Sequence, residues 1–270
     1  MIRATVGILA GVGGGFDADY QAILDYATTQ TYTLPSASQQ ALQNQLVIDL
    51  KDAGVWSKLD VFYVFATDGD SDFASINWKD PNNFECTEVN SPTFTTNKGF
   101  EGDGTSAYLD TNFNTSTDSV NYTQNDVGLI FALSQLTTLS NNRPYGVSST
   151  GNFLSYAFNS TRLWINSSGR INVSNFGTSV NNQIIFANRI DANNVNGRIT
   201  DLENDLTNTN SSSALASIAL ENANLHVLSN NTLPWDLGNI ASLFGLGSNL
   251  STAEMEDVET AYYTNYFSNL

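Results

Sequence analysis

From Val127 onward the chain repeats one pattern: a short apolar or alternating stretch, a break at Asn, Ser or Gly, then another stretch. The stretches fall at 127–133, 152–158, 162–165, 169–173, 184–189, 197–202, 225–228 and 240–246. A parallel sheet needs a crossover between successive strands, usually a helix of about 10 to 15 residues. No recurrent helical pattern lies between these stretches. The spacing therefore predicts a mainly β fold, an antiparallel β-sandwich whose two sheets each bury one face. The segment 208–220, rich in Ser and Ala, is read as one short helix or a long loop.

The N-terminal part reads differently. Asp17 is placed to cap a helix whose apolar positions Tyr20, Ile23, Leu24 and Ala27 follow helical spacing. Pro35 breaks the pattern. Ser36 or Ser38 starts a second helix carrying Ala41, Leu42, Leu46, Ile48, Leu50 and Ala53, closed by Gly54. Two helices so connected form a hairpin that needs a surface to cover. Residues 59–66 supply a compact β-prone run, continuously apolar from Val61, expected of a buried strand rather than a one-sided edge strand. A last helix is expected over 252–266, with Ser251 and Glu254 at capping-box spacing. The chain thus divides into an apolar, Gly-rich arm (1–16), flexible or bound to a partner, the hairpin (17–58), the sandwich (59–250) and a C-terminal helix packed on it (251–270). The arm is too short and too interrupted by glycine to span a bilayer, and it lacks a signal-peptide arrangement. Gly11 to Gly15 lacks the Lys-Ser/Thr ending of a phosphate loop.

Charge narrows the partners. Ten Lys and Arg against 27 Asp and Glu give a net charge of -17. Nucleic acids and anionic membranes are unsuited to such a surface, since both are held through many cations. The charge is unevenly spread: residues 127–190 contain four arginines and no acid. This block can present a neutral-to-basic face for contact with another subunit, or four arginines that merely flank the core. Asn (34), Ser (28) and Thr (27) make up a third of the chain, giving loops whose amides and hydroxyls can bond sugar hydroxyls or protein. The single cysteine, Cys86, excludes an intrachain disulfide and lacks a partner signature for nucleophilic catalysis.

Several residues are candidates for a site. Asp68, Asp70 and Asp72 alternate in a tight turn and can converge on a hard cation such as Ca²⁺. The EF-hand positions that should hold glycine and an acid are Phe73 and Lys79, so the choice lies between an incomplete calcium site and a solvated acidic turn, the latter preferred. Trp164 with Arg162 and Asn166 is the first choice for a glycan patch, because alternate residues of a strand share a face. Trp78, Trp235, Tyr145 and Tyr156 are further aromatic candidates, most of them expected in the core. His226, the sole histidine, lies on a strand facing away from Leu225 and Val227, and is expected to pair with a neighbour. A His-Asp-Ser triad can be drawn around it, but no nucleophile elbow accompanies it.

The phrase Gly99-Phe100-Glu101-Gly102-Asp103-Gly104, running into Tyr108-Leu109-Asp110-Thr111, resembles the early strand of concanavalin A-like and laminin-G-like jelly rolls. Residues 241–247 and 250–255 are similar to the way those domains close. This resemblance spans about residues 60–250 and implies a jelly roll. Residues 54–67, with Asn77-Trp78-Lys79-Asp80-Pro81 and 89–94, are similar to structural proteins of tailed bacteriophages. That likeness implies a virion or tail-associated location, homo-oligomeric assembly with other virion proteins, and attachment to host-surface glycan. It supplies no catalytic set. The rivals are a glycoside hydrolase or lyase on the same sandwich, for which Glu101, Asp103 and Asp110 are candidate acids, and a scaffold without sugar affinity.

Overall fold

The computed structural model describes residues 15–136, 144–147, 153–157, 160–176, 181–229 and 239–270. Residues 1–14 of the expected arm, and Trp235, lie outside them.

Helix α1 (Ala18–Gln30) begins where Asp17 accepts a hydrogen bond from the Asp19 amide, and it buries Tyr20, Ile23, Leu24 and Ala27. Helix α2 (Ala37–Asp52) is capped by Ser36, which decides between the two serines, and Gly54 follows with a φ of 74°. The buried face of α2 departs from the sequence reading: Ala41 is exposed, while Gln39 and Gln43 are buried. The two glutamines build a polar hub. Tyr20 Oη donates to Gln43 Oε1 (2.7 Å), and Gln43 Nε2 donates to Thr67 Oγ1 (3.1 Å) and Tyr266 Oη (3.2 Å). Thr67 Oγ1 donates to Gln39 Oε1 (2.8 Å), and Tyr266 Oη donates to the Ala66 carbonyl. The hub ties both helices to the end of the first strand and to the C-terminus.

That strand is β1 (Leu59–Val64), followed by a one-turn helix, α3 (Ser71–Ala74). Next come β2 (Thr87–Val89), β3 (Thr93–Thr95), β4 (Gly99–Glu101), β5 (Tyr108–Asn114) and β6 (Val127–Gln135). Then follow β7 (Tyr145–Gly146), β8 (Phe153–Ala157), β9 (Ser160–Trp164), β10 (Ile171–Ser174) and β11 (Gln183–Arg189). The last are β12 (Val195–Asp201), β13 (Leu206–Ser212), β14 (Asn224–Val227) and β15 (Ile240–Gly247). One sheet has eight strands in the order β13-β12-β11-β6-β15-β4-β3, with β1 also paired to β15. The other has seven, in the order β10-β9-β8-β7-β14-β5-β2. Every pairing is antiparallel. Gly99 opens β4 at a φ of 116°, and a Cβ there would lie 1.9 Å from the Ala241 carbonyl oxygen. The close crossing of β4 and β15 thus requires a glycine at the head of the jelly-roll-like phrase.

The central strands of the eight-stranded sheet are covered on both faces, and they divide their residues by parity. Val61 and Tyr63, Leu129, Phe131 and Leu133, Ile185 and Ala187, and Phe244 and Leu246 face the other sheet. Phe62 and Val64, Ile130 and Ala132, Ile184 and Phe186, and Leu243 face the helices. This is why residues 61–66 read as an unbroken apolar run. The result is three layers: helices, eight-stranded sheet, seven-stranded sheet. C-terminal helix α4 (Thr252–Glu259) carries both bonds of the Ser251–Glu254 capping box and continues as a π-turn through Thr264. Met255, Val258, Ala261, Tyr262 and Tyr266 enter the helix-side core. The mainly β sandwich with helices at its two ends is therefore the fold the spacing predicts.

Two elements differ from expectation. Residues 206–212, within and beside the segment read as helix or loop, form strand β13 fully paired to β12. Its side chains are mostly exposed, so no apolar alternation marks it. In place of burial, Asn208 and Asn210 donate from their side-chain amides to the Ser174 and Asn172 carbonyls of β10 (3.0 and 2.7 Å), joining the two sheets at that edge. The acidic stretch 68–72 is in part helical, since Asp70 caps α3 by accepting from the Phe73 amide (2.9 Å).

Replacing Gln43 by Ala leaves the Tyr20, Thr67 and Tyr266 hydroxyls short of a partner in a buried site. It should lower the unfolding free energy by about 2 to 3 kcal/mol in urea denaturation. Gln45→Ala on the exposed side of the same helix should change it by less than about 0.5 kcal/mol.

Candidate functional site

The helices cover the eight-stranded sheet, whereas among the described residues no helix lies on the outer face of the seven-stranded one. Register defines what that face presents. Successive pairings connect Trp164 (β9), Phe153 (β8), Gly146 (β7), His226 (β14), Asp110 (β5) and Thr87 (β2) in one row. Leu163, Tyr145, Leu225, Val227 and Leu109, the alternate residues, are in the sandwich core. At the ordinary strand separation the row sets Trp164 roughly 14 Å from His226 and roughly 19 Å from Asp110.

At one end of the row, Arg162 and Trp164 share the outer face of β9, both partly exposed, with Asn172 of β10 paired opposite Arg162. Arg170, exposed, holds its guanidinium carbon 5.2 Å from the centre of the Trp164 ring and donates from Nε to Asn172 Oδ1 (3.1 Å). The stacked cation and the hydrogen bond fix the guanidinium beside the indole. Asn166 does not join them. The strand ends at Trp164, and Asn166 takes a φ of 46° and is buried. Its Oδ1 accepts from Tyr122 Oη (2.6 Å) and its amide nitrogen points to the Thr123 and Gln124 carbonyls. Alternation along a strand selects only Arg162 and Trp164, because the chain turns before residue 166. Arg170 and Asn172 complete the patch from the next strand and the loop before it. The absence of acids from 127–190 was the sequence signal for Arg170.

At the other end, His226 stacks on Tyr108 with ring centres 4.5 Å apart. Its Nδ1 lies 3.2 Å from Ser229 Oγ and its Nε2 3.9 Å from Asp110 Oδ2. The latter exceeds a hydrogen bond. Asp110 Oδ1 instead accepts from the Asn112 amide (2.8 Å) and Asn224 Nδ2 (3.1 Å). Burial lowers the His226 pKa, with the Asp110 charge opposing it, so the imidazole is neutral at pH 7. Tyr108 and Asp110 share this face because they alternate with core residues Leu109 and Phe113.

The other candidates are dispersed. Asp68 Oδ1 accepts from the Ser36 amide (3.0 Å), and Asp70 Oδ2 from the Thr33 amide (2.7 Å), so these carboxylates clip the hairpin connection to the sandwich. Burial, then the charges of Asp70 and Glu85, raise the pKa of Asp72. Among the described residues no group of three or more His, Cys, Asp or Glu side chains is gathered to hold a metal ion. Glu101 lies on the eight-stranded sheet and Asp110 on the seven-stranded one. Asp103 Oδ1 accepts from the Thr105, Ser106 and Ala107 amides, bonds that hold its carboxyl far below the usual range. Trp78 and Tyr145 are core residues, and the Cys86 thiol is buried, with its pKa pushed up mainly by that burial. A separate depression of about 690 Å³ lies between β12 and β13, lined by Asn194, Asn196, Ser211 and Ser212 among others, and it has no aromatic wall.

No family model matches the chain, and no curated protein sequence matches it at a significant level. Solved structures share its fold. The botulinum neurotoxin serotype D binding domain superposes with a TM-score of 0.50 at 8% identity, covering 77% of this chain and 52% of that one. A mutant of Trypanosoma rangeli sialidase displaying trans-sialidase activity gives 0.51 at 7% identity, over 86% of this chain and 40% of that one. The same sialidase in complex with sialic acid gives 0.50 at 8%, over 83% and 39%. The chain thus spans about half of the toxin domain and about two fifths of the sialidase. What they share with this chain is the fold.

The lone imidazole gives a direct test of the row. In an NMR titration its resonances should report a pKa below the ordinary 6.5, and Asp110→Asn should lower it further by removing the charge that opposes burial. Because the folded state disfavours the proton, the His226 contribution to stability is complete above pH 6.5 and falls as pH drops through that value.

Proposed function

We propose that this chain is a non-catalytic, lectin-like sandwich protein that binds glycan on the outer face of its seven-stranded sheet, at the patch built by Arg162, Trp164, Arg170 and Asn172. The observation that carries this reading is a partly exposed indole, stiffened by a stacked guanidinium, on a sheet face that no helix among the described residues covers. An aromatic ring offers a sugar's C–H face a flat apolar platform, while neighbouring amide and guanidinium groups reach its hydroxyls. The fold shared with a toxin binding domain, and with a sialidase solved with sialic acid, supports a carbohydrate ligand. The dispersion of Glu101, Asp103 and Asp110 supports a binding rather than a hydrolytic role. Placement in a tailed-phage virion or tail, as a homo-oligomer among other virion proteins, rests on the phrases at 54–67, 77–81 and 89–94. Among the described residues no helix is long and apolar enough to cross a membrane.

A glycan array tests the binding face. The intact protein should retain a defined set of glycans, and Trp164→Ala should weaken that retention by more than about tenfold, as for an aromatic anchor at a binding centre. Equal retention by the Trp164→Ala variant, with its fold verified by circular dichroism, would remove the site from this face.

A further inference from the structure

The cations of this protein are few, and five of the ten are engaged within the fold. Lys51 pairs with Asp17 and Asp19, Lys58 with Glu254, and Arg198 with Glu256 and Glu259. Lys79 donates to the Trp56 carbonyl and lies over its ring, and the buried Arg189 donates to the carbonyls of Ile165, Asp191, Ala192 and Leu215. Lys98 is exposed just before β4, and Arg162 and Arg170 stand apart from it at the seven-stranded sheet. Both are at the surface, both flank Trp164, and among the described residues neither is within ion-pair distance of a carboxylate. In a chain with 27 acids and ten bases, random placement would bring acids near them. Yet no acid occurs anywhere in residues 127–190, which form the surrounding strands β7 to β10.

We propose that Arg162 and Arg170 select an acidic saccharide, one whose carboxylate or sulfate meets the two guanidiniums while its ring stacks on Trp164. This rests on the glycan-binding reading and names the substrate class. A guanidinium presents a planar fork of donors that matches a carboxylate or sulfate, and two of them on one face give the acidic group a fixed position relative to the indole. The net charge of -17 does not forbid it. Asp110, the acid in the same register row, is roughly 19 Å away by strand count. The Debye length at physiological salt is about 8 Å, so its repulsion is largely screened while the adjacent cations act at contact distance.

The test is an array that pairs neutral oligosaccharides with their sialylated, uronate-bearing and sulfated counterparts on the same cores. The intact protein should favour the acidic member of a pair, and the preference should shrink as sodium chloride is raised. Arg162→Gln and Arg170→Gln should each reduce acidic-glycan retention by about tenfold or more, well beyond their effect on the neutral member of the same pair. The three acidic series separate carboxylate from sulfate as the recognised group. Equal retention of neutral and acidic members, with Trp164→Ala abolishing both, would overturn the acidic selectivity and leave the indole site standing. So would equal losses on both series in the Arg→Gln variants at unchanged melting temperature. Absence of binding to every glycan would overturn the binding face and the selectivity together.

Discussion

The rest of the structure depends on one sheet being buried on both sides. Strands β1, β6, β11 and β15 send alternate side chains into two different cores, so that Phe62 packs under the helices while its neighbours Val61 and Tyr63 pack between the sheets. A strand placed in this way cannot slip by one residue without exchanging its two apolar sets between environments of different shape. The helices need the sheet to cover their apolar faces, and the sheet needs the helices to keep its second face from water. Among the described residues the helices lie on one side only, and no helix covers the outer face of the seven-stranded sheet, where Arg162 and Trp164 are partly exposed.

How much of this could be read in the sequence follows from which interactions leave a pattern. Helix α1, the limits of α2, the capping box of α4 and most strands were legible because capping chemistry and apolar periodicity are local. The hub of Gln39 and Gln43 was not, since a glutamine on a helix reads as solvent-facing until the hydroxyls of Tyr20, Thr67 and Tyr266 are brought to it from distant parts of the chain. Strand β13 escaped for the opposite reason: its stability comes from backbone pairing and two asparagine amides rather than from burial. At the candidate site, Arg162 and Trp164 followed from alternation. Asn166 failed the same rule because the strand had already ended, and Arg170 is joined to the patch by geometry across a turn.

Carboxylates in this chain act mostly as structural acceptors. Asp17, Asp70 and Ser251 with Glu254 begin helices, Asp68 and Asp70 hold the hairpin connection, and Asp103 holds the turn before β5. Amide donors fix each of these oxygens. Asp68 and Asp70 thus have a use that requires no cation, and the surplus of negative charge is spread over turns rather than concentrated in a cleft.

The asparagine amides that bridge β13 to β10 also bear on how copies of the protein can live together. A bare strand edge exposes alternating donors and acceptors that any extended peptide can copy. Here two of the β10 carbonyls are already engaged by side chains of the opposite layer. A docking strand would have to displace them before it could zip on. Crowded copies are thereby biased toward meeting through side-chain surfaces, and away from merging their sheets into a continuous ribbon.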